Sequence, residues 1–102
     1  MFAALDGKLL TDEDLQLNSV VKGEFILHKS PNERAISLTT LVQYKEPEKE
    51  THVLMRHYEG RISNGNKSDG YKLKPVGMGV VLTGQERQKY VNLLKQHGAY
   101  RE

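Results

Sequence analysis

Lys72 and Lys74 alternate with apolar residues in "YKLKPVGMGVVLT" (71–83). Two cations spaced by two along an extended chain project to the same side, where they can follow a row of negative charges. Charge elsewhere points the same way. The net charge of +2 is unevenly spread: residues 1–22 hold two lysines against four carboxylates, whereas residues 51–95 hold eight Lys/Arg against three Asp/Glu. A basic body behind an acidic leader suits a polyanionic partner, although the same charges also suit a well-solvated surface. Other chemistry is poorly provided for. In a strand, His52 and His57, five residues apart, face opposite ways, and the four histidines do not form metal-ligand spacing. There is no cysteine, no G-x-S-x-G and no phosphate-cradling G-x-x-x-x-G-K-[ST] loop. Asp12 and Asp14 have no evident partner for acid–base work. The expectation is a binding protein, not an enzyme, with no cofactor and no metal.

The elements that must position these residues are mostly strands. "EFILHK" from Glu24 reads as a first strand, closed by the turn cluster "SPNE" at 30–33. "RAISLTTLVQYK" (34–45) alternates, with Ile36, Leu38, Val42 and Tyr44 in strict period two, and Leu41 breaks the pattern, predicting a bulge near Leu41 and Val42. "EPEKE" (46–50) turns the chain into a third strand, "THVLMRHY" (51–58). A long polar loop (59–70) precedes the fourth strand (71–82). The helix is expected at 84–97, opened by a Thr83–Glu86 capping box and closed by Gly98 in the left-handed C′ position. In residues 1–22 only "LTDEDL" is patterned, with Thr11 as a helix N-cap, so this leader reads as an acidic arm that could compete for the basic face. The fold class is α+β: a domain at 23–102 with an antiparallel sheet (24–82) and one C-terminal amphipathic helix. An apolar fraction of 37% in 102 residues favours burial against a second copy, a homodimer.

Residues 51–95 also resemble a known family. Arg56-His57-Tyr58, Lys74-Pro75, Gly79-Val80-Val81-Leu82-Thr83 and Glu86, with the aromatic-lysine pair Tyr44-Lys45 upstream, follow the order of motifs in the transcriptional coactivator positive cofactor four. The resemblance covers roughly residues 24–97. It implies a strongly curved four-stranded antiparallel sheet, a helix that mediates homodimerisation, and a concave basic surface for single-stranded DNA of any sequence. The chain departs from the pattern at Glu59, where members often have tryptophan, and at Gly77 and Met78, where they have basic residues. Without the serine-rich regulatory leader of eukaryotic members, the resemblance points to a bacterial or phage member. Its partners would belong to replication, recombination, repair or transcription.

On that reading Tyr44, Tyr58 and Tyr71 are the base-stacking candidates, because every base offers a π face. Lys45, Arg56, Lys72 and Lys74 are the phosphate ligands, with Lys29, Arg34, Arg61 and Lys67 at the periphery. Each has a plainer role open to it: tyrosine as half-buried packing, Arg56 paired with Glu59 or another carboxylate, the lysines as solvated strand residues. Tyr90, Val91, Leu93, Leu94 and His97 form the helix stripe, divided between core and dimer seam. An RNA-binding regulator or a protein-interaction adaptor is the alternative function. No run reaches membrane-spanning length and the N-terminus lacks a signal-peptide pattern, so a cytoplasmic location is expected.

Overall fold

A computed structural model describes residues 4–63, 65 and 69–101. It is an α+β fold in which one curled antiparallel sheet carries a single C-terminal helix. The strands are β1 (Leu9–Leu10), β2 (Val20–Val21), β3 (Glu24–Pro31), β4 (Ala35–Lys45), β5 (Thr51–Ile62) and β6 (Tyr71–Val81), followed by α1 (Gly84–Gln96). Their order across the sheet is β1-β6-β5-β4-β3-β2. The sheet therefore has six strands where four were expected, and both extra strands come from the leader.

The leader is not an arm. Leu9 and Leu10 pair with Lys72 and Tyr71 on one edge, and Val20 and Val21 pair with Phe25 and Glu24 on the other. Between these edges the chain crosses one face of the sheet, and the leader sinks Leu5, Leu10 and Leu15 against Ile26, Ile36, Leu38, Tyr58, Tyr71 and Leu73. Leu5 and Leu15 are fully buried. The turn at the middle of this crossing is held by reciprocal bonds. The Thr11 backbone N–H donates to Asp14 Oδ2 at 2.9 Å, and the Asp14 N–H donates back to Thr11 Oγ1 at 3.3 Å. The Thr11 N–H first, and then the Thr11 hydroxyl, which also donates to Asp14 Oδ2 at 3.0 Å, lower the pKa of the Asp14 carboxyl. This is the capping-box geometry, formed at Thr11 without a helix behind it.

The second core lies on the opposite face. Phe25, Leu41, Val53 and Leu82 meet Val91 and Leu94 of α1, with Met55, Tyr90, Leu93, Ala99 and Tyr100 around them. Thr83 occupies the helix N-cap but makes no side-chain cap bond, so the expected Thr83–Glu86 box does not form. The other end follows expectation. Gly98 has φ +67°, its N–H donates to Lys95 O at 3.1 Å, and Ala99 N–H reaches Leu94 O at 2.8 Å, which is a Schellman motif. Arg87 also ties α1 to the start of β5 by donating to Thr51 O at 2.7 Å.

The two cores explain Leu41. Paired residues in an antiparallel sheet share a face. Ile36, Leu38 and Thr40, opposite Gly60, Tyr58 and Arg56, therefore line the leader side, whereas Leu41, opposite Met55, lines the helix side. The apolar parity of β4 switches because the cover switches, and β4 and β5 run in unbroken register through Leu41 and Val42. The irregularities lie elsewhere, between Ile26 and His28 of β3 and opposite Arg56, where Gly77, Met78 and Gly79 of β6 bulge outward. Gly77 and Gly79 have φ +74° and +81°, which L side chains rarely adopt, and a Cβ on Gly79 would also meet Met55 O at 3.1 Å. The third strand runs four residues past its expected end, with Gly60 at a close crossing where a Cβ would lie 2.5 Å from Leu73 Cδ2. Among the described residues no helix is long and apolar enough to cross a membrane.

If the leader is core, Leu15→Ala should lower the unfolding free energy by about 2–5 kcal/mol, read from urea titration by circular dichroism. Removing residues 1–20 should abolish the cooperative transition. A freely swinging arm would leave both curves where the intact chain has them.

Candidate functional site

Each cover spans only part of its face, and the site lies on the leader side, where the leader reaches it at Asp6. There β4, β5 and the β6 bulge enclose a groove of about 440 Å³ lined by Tyr44, Leu54, Arg56, Met78, Val81 and Asp6, among others. Tyr44 and His52 are cross-strand partners, and their rings stack at a centroid distance of 4.8 Å and an interplanar angle of 26°. One flat π surface therefore stands at the rim, with Tyr44 about a third exposed. On the opposite rim Met78 is 98% exposed at the crest of the bulge, flanked by the exposed Val76 and Val80.

Beside the groove, a polar network joins three strands. Glu24 of β3, 1% exposed, accepts from Thr40 Oγ1 at 2.7 Å and from the Tyr58 hydroxyl at 2.7 and 3.0 Å. Arg56 hydrogen-bonds in turn to Tyr58, which anchors its guanidinium beside the groove. Burial first, then the Glu24 hydrogen bond, pushes the Tyr58 phenol far above its ordinary pKa of 10. Burial first, then the nearby Asp12 carboxylate, raises the pKa of the buried Tyr71 phenol as well.

The opposite face, past the end of α1, is polar. Lys72 pairs with Arg61 and Lys74 with Glu59, so the three cations share one side, which is also the side of His57 and Thr39. All three are exposed, and none forms an ion pair with a described carboxylate.

The structure thus divides the residues expected to form one surface. Tyr44 and Arg56 meet at the groove. Lys72, Lys74 and Arg61 lie on the other side of the sheet, as does Lys45 at the hairpin end, opposite Thr51. Tyr58 and Tyr71 are 1% and 0% exposed, so neither has a ring face to offer a base, because both rings build the leader-side core. Lys29 is tied down by donating to Leu15 O at 2.9 Å. Arg34 is exposed in the β3–β4 turn, which Asn32 Oδ1 closes by accepting from the Ala35 N–H at 3.0 Å. Lys67 lies outside the described residues. Part of the expected dimer stripe packs within the chain. Val91 and Leu94 are buried under the sheet, Tyr90 and Leu93 pack against the same cluster, and exposed His97 lies with its ring 5.7 Å from Phe25. The outer helix face, Gln85, Gln88, Lys89, Asn92 and Gln96, is polar and exposed.

Glu24, His52 and the projecting Met78 carry parts of this site that were not singled out from sequence. His52 was within reach: folding the hairpin about Glu48 sets it opposite Tyr44. Among the described residues no group of three or more metal-ligating side chains occurs. No protein-family model, curated protein or solved structure matches the chain.

Below pH 10 the Tyr58 phenol is protonated in both folded and unfolded chains and adds no pH dependence. Above it the unfolded chain releases the proton while the fold retains it, so stability falls as pH rises. Tyr58→Phe, which leaves Glu24 a partner short, should lower stability at pH 8 by about 1–3 kcal/mol. The gap from the parent should narrow at pH 11 in urea titrations. A constant gap would mean the phenol is not held protonated by this network.

Proposed function

We propose that the protein binds single-stranded nucleic acid without base selection and without a cofactor. The observation that carries this reading is the Tyr44–His52 stack at the rim of a groove that Arg56 also lines. A stacked aromatic pair extends a π platform for an unpaired base of any identity, and a guanidinium beside it is suited to the phosphate that follows. Duplex DNA hides its base faces and gains nothing from such a platform. The motif order that resembles positive cofactor four supports the same reading, with DNA as the ligand and exposure of single strands in replication, recombination, repair or transcription as the setting. On this reading the binding face is half of one sheet face, because the leader covers the other half.

Fluorescence anisotropy of labelled oligo-dT should show preference over the matching duplex. If about five phosphates are neutralised, log K should fall against log salt with a slope near −3.5. Tyr44→Ala should weaken binding by about 1–3 kcal/mol while leaving the unfolding curve near that of the parent. Tighter binding to oligo-U would assign the ligand as RNA. Equal affinity for duplex would reduce the interaction to a basic surface. Absence of binding at low salt would overturn the reading in favour of a protein-interaction adaptor.

A further inference from the structure

We infer that the bound strand does not stay in the groove but passes over the β6 edge and continues along Lys74, Lys72 and Arg61 on the opposite face. This rests on the reading above and adds the path and a second site. Three observations converge on it. First, the edge is open beyond the leader: β1 pairs with β6 at Lys72 and Tyr71, Gly7 and Lys8 bond the backbone of Leu73, and among the described residues no strand lies beyond the stretch from Pro75 to Val81. Second, the groove wall is this same edge, since Pro75, Val76, Gly77, Met78 and Gly79 all line it. A chain leaving the groove there meets Lys74 as the next residue of β6. Third, Lys74, Lys72 and Arg61 share one uncovered face and have no ion pair with a described carboxylate. Glu59, the cross-strand neighbour of Lys74, is the opposing charge there, leaving a surplus of positive charge on this patch.

The chemistry fits a flexible polyanion better than a folded one. Only a chain that bends between successive units can turn a strand edge from one sheet face to the other, and a stiff duplex, with a persistence length of about 150 base pairs, cannot. The groove would hold bases by stacking, and the lysines would hold phosphates by charge. Each half therefore supplies what the other lacks.

A length series tests the path. Oligo-dT of about 4 and about 16 nucleotides brackets the site sizes of compact single-strand binders. The longer oligomer should bind the parent protein more tightly. The double variant Lys72→Glu, Lys74→Glu should lose about 10-fold or more on the long oligomer and stay within about 2-fold on the short one. Lys72→Arg with Lys74→Arg should restore the long-oligomer affinity. Lys72→Gln with Lys74→Gln should flatten its salt slope by about 1.4, two phosphates at 0.7 each. Both lysines are exposed, so thermal unfolding should match the parent in every variant. Equal losses on both lengths would overturn the path and make the lysines a general field, and unchanged binding on both would overturn it outright. In either case binding in the groove would stand. No binding of either length by the parent would sink the path and the binding function together.

Discussion

A single sheet has two faces to cover, and the described residues provide only one 13-residue helix and a leader of about two dozen residues to cover them. Neither is long enough to cover a face from end to end, and they settle on opposite faces at opposite ends of the strands. The molecule is consequently long and thin, 46 × 27 × 19 Å, with two small cores instead of one. What remains is two uncovered half-faces on a diagonal. One holds the groove and the other holds the row of cations. Burial of apolar side chains at each core stabilises the fold by about 1.5–3 kcal/mol per large residue.

The border of each uncovered half then needs its own means of staying fixed. On the leader side the Glu24 network does this. A carboxylate 1% exposed is costly to desolvate unless it is well bonded, and here two hydroxyls from two other strands approach it. The arrangement draws β3, β4 and β5 into one register at the border between core and groove. It also fixes the role of Tyr58, whose ring belongs to the core and whose hydroxyl belongs to Glu24. At the sheet edge, the bulge around Gly77 and Gly79 interrupts the ladder that another strand would need for pairing. It gives the groove a wall at the same place.

Much of this architecture can be read from local pattern. The β4–β5 hairpin follows from alternation on either side of a polar turn, and the helix C-terminus follows from one glycine after an amphipathic run. The leader could not be read in that way, because Leu5, Leu10 and Leu15 are five residues apart and match neither helical nor strand periodicity. Their spacing reflects a crossing over sheet residues supplied by later parts of the chain. Leu41 misled for a related reason. A broken alternation is consistent with a bulge or with a change of covered face, and only the position of the helix decides between them.

The division of the tyrosines follows from the same geometry. Tyr44, Tyr58 and Tyr71 all have leader-side register, and each is a tyrosine on a strand of the same sheet. What separates them is distance along the strand from the leader. Tyr58 and Tyr71 lie beneath Leu5, Leu10 and Leu15, where an aromatic ring is core. Tyr44 is near the hairpin end, outside that cluster, where the same side chain keeps an open ring face and takes support from His52. Residue type and strand parity are therefore insufficient to assign an aromatic contact on a partly covered sheet. The extent of the cover decides, and here it leaves one tyrosine of the three in a position to meet a ligand.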